Sequence, residues 1–438
     1  SVSALQPDAS GNYFEVTLTV NPAAGYELKS NNITVQPLAD PAASRSRAPG
    51  IAETLTVTGS GKSFSFNLPE RYDGALVTAT FTLRDFVKIT KLSDIKDENG
   101  SYEINGSFEW DSRYNSIGTS SNPFKGVLEG NFVPFELKKD NNPLFEKVDG
   151  AIIKNVIISE ASVSTSGITG AICCTAIGAS RIYNCGILSG TVGSTGTSTA
   201  DNSTDCCGGL VGLLDGTSRV INCYSFATIT DGNRVGGIVG YNNVATSTDS
   251  SKPATYLKTM VMNCMFYGDI TGGNKVSPVY GGKEILNIGS STTLNTYGLN
   301  TYNYYAYDEL KTVNSKKIDY PNCALAAKKQ YLNRFEIYRQ LLNGNRKLAA
   351  LYATGDASKG EGENTEMAKW VLDTSIKPYP ILKKQGYYPS VVNNYSSSIN
   401  NGSSVINYSV SIAPTTPESQ KTTTQTINTM VCASELPS

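Results

Sequence analysis

The sequence predicts a mainly β protein organised around a parallel β-solenoid, with a small β-sandwich-like module before it and a helical and mixed capping region after it. Three observations carry this expectation. An Asn-centred phrase recurs as IKNV at 153–156, IYNC at 182–185, VINC at 220–223 and VMNC at 261–264. The phrase Gly-Gly-aliphatic-Val-Gly occurs at 208–212 and again at 236–240. Between these anchors lie short β-branched runs and Gly-rich turns rather than long apolar helical patterns, and repeats of this length and composition bury an apolar side only by stacking.

Each part of the repeat has a physical reason. Ile153, Ile182, Val220 and Val261 stand two residues before the anchor, and Val156, Cys185, Cys223 and Cys264 directly follow it. Small apolar residues on both sides fit two short strands that meet at a bend and point inward on either side of it. Asn155, Asn184, Asn222 and Asn263 then occupy the bend, where asparagine tolerates a left-handed backbone and hydrogen-bonds locally. Stacked copies form an Asn ladder. Gly209, Gly212, Gly237 and Gly240 permit tight bends and close approach of neighbouring coils. The anchors are spaced 29, 38 and 41 residues apart, and the extra length lies in Ser/Thr/Asn/Asp/Gly-rich segments such as 193–205 and 242–256, which read as loops.

The phrases Gly209-Leu210-Val211-Gly212 and Gly237-Ile238-Val239-Gly240, each with an Asn-Cys coil, resemble the GLUG motif of bacterial surface and adhesin-like proteins. Tyr102, Ile104, Trp110, the run Phe124 to Gly130 and Leu144-Phe145 resemble the usual lead-in to such a β-helix. The resemblance covers 88–283 and implies a right-handed β-helix over 87–300. Gly170-Ala171-Ile172-Cys173 departs from the motif. The motif is more specific for fold than for function.

Residues 1–86 read as a separate all-β module. Phe14 to Val20 alternates apolar and polar residues over a strand length; Ile33 to Val35, Leu55 to Val57 and Leu76 to Phe81 follow, separated by turn residues. Gly25-Tyr26 and Phe64 to Pro69 resemble a small bacterial extracellular repeat module used as a spacer. Leu92 to Ile95 reads as a short helical turn leading into the solenoid. After it, 301–395 forms the helical and mixed region: Leu325, Tyr331, Phe335, Tyr338 and Leu342 fall at helical spacing, Asn343-Gly344 supplies a stop, and a second helix spans Arg346 to Tyr352. This region is expected to close the far end of the solenoid. Met367 to Leu372 and Pro378 to Leu382 read as packed chain. The stretch 396–438 reads as a Ser/Thr-rich tail with one strand expected at Val405 to Ile412.

The chain has 438 residues, Lys plus Arg 37 against Asp plus Glu 38, and no histidine. Near-zero net charge without a long basic run disfavours nucleic acid and anionic membranes as partners. Absence of histidine removes Ser-His-Asp and Cys-His nucleophiles and His-ligated zinc. No apolar stretch reaches the 18 residues of a spanning helix. The chain opens inside apparent domain sequence, which reads as a mature or trimmed product. The resemblance, with the Ser/Thr/Asn/Gly/Tyr-rich composition, implies an extracellular place at a bacterial cell surface. Nine cysteines leave two readings: disulfides with one thiol over, or small hydrophobes stacked in the core. Cys173-Cys174 and Cys206-Cys207 are adjacent pairs whose members point to opposite faces.

The resulting functional expectation is a non-catalytic, adhesin-like protein, monomeric and without a cofactor or metal, presenting the solenoid to a host or matrix glycan or protein. Tyr224, Tyr241, Tyr267, Tyr302 and Tyr304 are its candidate contact residues, since tyrosine offers a flat apolar face with a polar tip; the competing reading packs them between coils. A polysaccharide lyase or glycosidase is the alternative, with Asp215, Asp231, Asp269 and Arg219 as the nearest candidates for its chemistry. A structural spacer of a larger surface assembly is the third. Asp356, Glu361 and Glu363 are candidates for calcium against a solvated loop.

Overall fold

A computed structural model of the chain describes residues 6–7, 13–20, 22–37, 54–60, 63–69, 74–109, 116–138, 141–196, 205–243, 259–273, 275–277, 279–280, 304–306, 325–327, 342–361, 365–373, 376–377, 380–383, 396–399, 402–405 and 424–432. The chain divides into two units, 1–85 with 420–438, and 86–419. Among the described residues, no helix is long and apolar enough to cross a membrane.

The first unit is antiparallel. Alternation places Val16 and Leu18 of Tyr13–Thr19 and Phe64, Phe66 and Leu68 of Ser63–Pro69 on one buried face, and these strands pair from Tyr13↔Pro69 to Thr19↔Ser63. A second sheet pairs Gly74–Leu83 with Ile33–Pro37, Tyr26–Glu27 and Thr424–Cys432. Val35, Ala75, Val77 and Phe81 share one core with the first sheet. The strand at 424–432 corrects the expectation of a tail there. A Ser/Thr-rich strand gains its hydrogen bonds from a long partner rather than from apolar content, so its composition masked it. The expected strand Val405 to Ile412 falls almost wholly outside the described residues; Gly402–Val405 forms a hairpin with Ser396–Ile399.

The second unit is mainly β, with parallel sheets stacked in a β-helix-like manner. From residue 152 the chain visits four sheets in turn and then repeats the circuit. Ile152–Lys154, Arg181–Tyr183, Arg219–Ile221 and Met260–Met262 lie side by side in the first sheet. Ile157–Thr165, Gly186–Ile187, Tyr224–Ser225 and Met265–Phe266 do so in the second. Thr169–Gly170, Cys206–Gly208, Arg234–Gly236 and Lys275–Ser277 form the third, and Phe145–Asp149, Cys173–Ile177, Val211–Leu214 and Val239–Asn242 the fourth. Every pairing is parallel and repeats equivalent residues. Tyr102, Leu128, Ile153, Ile182, Val220 and Val261 therefore line up as one fully buried column.

The corners follow the repeat chemistry. Asn155, Asn184, Asn222 and Asn263 all have φ between 55° and 58°, the left-handed conformation that asparagine tolerates best among side-chain-bearing residues. Between the third and fourth sheets the backbones approach so closely that a Cβ on Gly208 would lie 2.1 Å from Val211 O and 2.3 Å from Gly240 N. Gly170-Ala171-Ile172-Cys173, which departs from the motif in sequence, occupies the same corner one coil earlier, with Cys173 paired to Val211. Leu92–Asp94 is the expected short helical turn.

Two differences concern the end of the stack. Tyr304–Ala306 and Leu325–Ala327 add two further parallel strands to the second sheet, beyond position 300. Leu325 is thus strand rather than helix; 328–341 lie outside the described residues. The helix that is present, Arg346–Thr354, packs laterally instead of closing an end: Ala349, Ala350 and Ala353 sit with Tyr183, Ile221 and Met262 of the first sheet. Those three coil residues present a large apolar column that needs a cover.

The side chains of Cys173, Cys174, Cys185, Cys206, Cys207, Cys223 and Cys264 are all buried. Cys185, Cys223 and Cys264 follow the corner asparagines and donate their thiols to Tyr183 O, Ile221 O and Met262 O at 3.2 to 3.3 Å. Burial pushes the Cys174 thiol up to about 11 and the Cys206 thiol up to about 12, against roughly 8.5 in an unfolded chain. A folded pKa above the unfolded one means the folded state holds the proton more tightly, so this stabilisation is complete below about pH 8.5 and is lost as pH rises toward the folded values. The urea midpoint under reducing conditions is expected to hold between pH 7 and 8 and to fall between about pH 9 and 11; a Cys174→Ala, Cys206→Ala double variant should show a shallower fall, and an unchanged slope would contradict the assignment.

Candidate functional site

The most elaborate polar arrangement among the described residues lies where the first and second sheets meet, along the corner asparagines. Their side chains bond from coil to coil: Asn184 Nδ2 donates to Asn155 Oδ1, Asn222 Nδ2 to Asn184 Oδ1 and Asn263 Nδ2 to Asn222 Oδ1, each at 2.8 Å. At the N-terminal end Asn155 Nδ2 donates to Glu129 Oε1 at 2.8 Å. Asn184, Asn222 and Asn263 have no exposure to solvent.

What covers them is the segment from 365 to 373, crossing the coils. Asn184 donates to Glu366 O at 2.7 Å and accepts from Ala368 N at 3.1 Å. Asn222 donates to Ala368 O at 3.1 Å and accepts from Trp370 Nε1 at 2.7 Å. Asn263 donates to Leu342 O at 3.1 Å. Asn343 clasps the Trp370 backbone, donating to its carbonyl and accepting from its N–H at 2.8 Å each. Lys369–Leu372 also pairs antiparallel with Pro380–Lys383. Apolar packing flanks this seam: Ala368, Trp370, Ile381, Leu382 and Leu342 sit with Ile157, Tyr224, Met265 and Tyr267.

A charged group closes the N-terminal side. Glu129, Lys154 and Tyr183 are register neighbours on the first sheet. Lys154 Nζ lies 3.4 Å from Glu129 and 3.9 Å from Glu366, which also accepts from Tyr183 OH at 3.3 Å and pairs with Lys359 at 3.8 Å. Burial alone would lower the Lys154 pKa, but the phenol of Tyr183 and the carboxylates of Glu129 and Glu366 outweigh it and hold the ammonium above the ordinary lysine range. Burial pushes Tyr183 upward, keeping it a phenol. Lys154 therefore stays a cation at neutral pH and serves as a fixed charge rather than a base. The cluster is a latch between coil and covering segment.

The predicted contact residues are placed differently from the expectation. Tyr224, Tyr241 and Tyr267 are only 1, 7 and 7 % exposed. Tyr224 stacks over Gly186, where a Cβ would meet its ring, and lies 6.2 Å from Trp370. Tyr241 lies under the Arg234 guanidinium, 4.4 Å from its ring centre. These three pack; they do not offer faces to a ligand. Tyr304 lies in the strand Tyr304–Ala306, and Tyr302 is outside the described residues. Asn184, Asn222 and Asn263 are brought together as the repeat requires. Glu366, Ala368, Trp370 and Leu342 were missed as ladder partners, although Met367 to Leu372 read as packed chain.

The residues weighed for catalysis or calcium have structural tasks. Asp215 accepts from Gly216 N at 2.7 Å and Asn243 Nδ2 at 3.1 Å, while Arg219 donates to Tyr352 O at 2.8 Å with its guanidinium over that ring. Asp231 occupies a left-handed turn, and Asp269 accepts from Ile270 N at 2.9 Å. Asp356 accepts from Ser358 N and Oγ, which lowers its pKa, and Glu361 pairs with Lys347 at 2.7 Å; Glu363 is outside the described residues. Among the described residues, no group of three or more His, Cys, Asp or Glu is disposed to hold a metal ion.

No family model matches the sequence, and no curated protein matches it. Among solved structures, one titled IgA1 Protease aligns at TM-score 0.32 and 14% identity, over 70% of this chain and 29% of that one. The chain therefore spans less than a third of that structure, and a likeness at this level carries no argument about fold or activity.

Trp370 is 1 % exposed, and truncating a buried tryptophan costs about 3 to 5 kcal/mol. Trp370→Ala is expected to speed amide exchange across 366–372 by at least about a hundredfold while the coil amides of 152–240 stay protected. Uniform loss of protection in both regions would contradict a separable cover.

Proposed function

We propose that this is a non-catalytic, adhesin-like protein of a bacterial cell surface, whose GLUG-type coils close into a right-handed β-helix that presents loops and an outer face to a host or matrix glycan or protein. The observation that carries this reading is the preservation of register across insertions. The Ser/Thr/Asn/Asp-rich segment 197–204 separates strands of the second and third sheets, yet Cys206–Gly208 pairs in step with Thr169–Gly170 before it and Arg234–Gly236 after it. The segment 244–258 separates strands of the fourth and first sheets, and Met260–Met262 still aligns with Arg219–Ile221. A stack that accepts polar insertions at two corners without slipping suits display, because its buried columns set register independently of loop length. The charged groups of the coils support the same reading: Glu129, Lys154 and Asp215 are engaged in holding the scaffold together.

Binding to a glycan array and to immobilised mucin and matrix proteins, with and without EDTA, is the experiment that tests this. Saturable binding with the sugar recovered intact supports display. Released oligosaccharide product overturns it in favour of a polysaccharide-degrading enzyme, and absence of binding across all surfaces overturns it in favour of a spacer.

A further inference from the structure

One outward column of the first sheet carries two cations in a row. Ile152, Arg181, Arg219 and Met260 are register partners on successive coils, so two guanidinium groups stand on adjacent strands between apolar neighbours. Like charges directly opposite on a sheet repel, and such a pair raises the local affinity for an anion.

The two arginines differ in what they offer. Arg219 is buried, donates to Tyr352 O at 2.8 Å and lies over the Tyr352 ring. It braces the C-terminal turn of the helix Arg346–Thr354, where a cation suits the carbonyl end. Arg181 is partly exposed. Its guanidinium is pinned through Nη1 alone, to Ala179 O at 2.8 Å, Ser180 O at 3.0 Å and Thr217 O at 2.9 Å. These bonds fix its plane and leave the Nε–Nη2 edge without a protein acceptor among the described residues. The acidic residues of the same corner are engaged elsewhere: Asp149 lies 3.9 Å from Lys125, and Asp215 accepts from Gly216 N and Asn243 Nδ2. Burial and the neighbouring Arg219 charge lower the Arg181 pKa to about 10, which keeps it a cation at neutral pH. A guanidinium edge held in this way matches two oxygens of one oxyanion.

We infer that Arg181, with Arg219 beside it, is an oxyanion-binding site that takes the carboxylate or sulfate ester of an acidic glycan. The oxyanion follows from the arginines alone, and the glycan that carries it rests on the display function proposed above. Arg181 supplies the two donors and Arg219 the supporting charge.

The test uses the full chain. Inorganic sulfate is titrated against the wild type and Arg181→Gln at constant ionic strength, and the thermal midpoint is read, so that general salting effects fall equally on both. A saturable rise in the wild type that Arg181→Gln loses is expected. A sulfated polysaccharide, its desulfated form and a polyuronate are then compared by surface plasmon resonance. At least one acidic chain should bind about tenfold more tightly than the desulfated one, lose that preference in Arg181→Gln and weaken as salt rises; which of the two binds identifies the oxyanion. If Arg181→Gln fails to fold by circular dichroism, Arg181→Lys keeps the charge without the two-donor edge and should lose the same preference. No sulfate response in the wild type, or an equal one in a folded variant, overturns the site. Binding of neutral and acidic glycans alike overturns it while the display function stands, and a sulfate response lost in the variant with no polysaccharide bound upholds the oxyanion site and overturns the glycan.

Discussion

The structure depends on how buried asparagine amides are satisfied at one corner. A side-chain amide taken from water without partners costs about 1 to 3 kcal/mol per unmade bond, and a left-handed backbone adds roughly 1 kcal/mol or more for most other residues. Asn155, Asn184, Asn222 and Asn263 meet both demands together: each adopts φ of 55° to 58°, Asn184, Asn222 and Asn263 each hand one amide hydrogen to the rung before, and Asn155 hands its own to Glu129. The constraint fixes register, because a slip of one residue would place an apolar neighbour at the corner and leave an amide facing Ile, Val or Cys in the core.

A column of amides also has a second hydrogen per rung and a remaining acceptor site. Those groups lie at the outer side of the corner, and for Asn184, Asn222 and the Asn263 donor the C-terminal region supplies partners through Glu366 O, Ala368 N, Ala368 O, Leu342 O and Trp370 Nε1, while Asn263 Oδ1 has none among the described residues. The same polar requirement that aligns the coils therefore determines where the rest of the chain packs. The apolar columns on either side, Tyr183 with Ile221 and Met262, and Tyr224 with Met265, complete the docking surface. The charged latch of Glu129, Lys154, Tyr183 and Glu366 joins its N-terminal end.

Much of the stack was legible because its rules are local. The recurring Asn, the β-branched residue two before it and the small residue after it identify the corner without knowledge of partners, and the paired glycines identify the opposite corner, where backbone contact excludes a Cβ. What the residues do outward from the stack was not legible. An exposed tyrosine and one covered by a distant segment look alike in sequence, so Tyr224, Tyr241 and Tyr267 read as contact residues although later packing buries them. Leu325 fell at helical spacing with Tyr331 and Phe335, yet a short strand of three residues carries no period, and its pairing with Tyr304–Ala306 decided the outcome. Thr424–Cys432 was masked in the same way, since pairing with Gly74–Leu83 defines it and composition does not.

The account of the second unit rests on one claim, that the amide column is the structural joint between coils and C-terminal region. A double-mutant cycle between Asn222→Gly and Trp370→Phe addresses that joint most directly. Glycine preserves the left-handed corner, and phenylalanine removes the Nε1 donor together with the five-membered ring, a loss of packing that appears in both arms of the cycle, so the coupling term reports the contact between the two residues. A coupling energy of about 1 kcal/mol or more in urea unfolding is the predicted result. Additive single effects, with coupling indistinguishable from zero, would contradict the account.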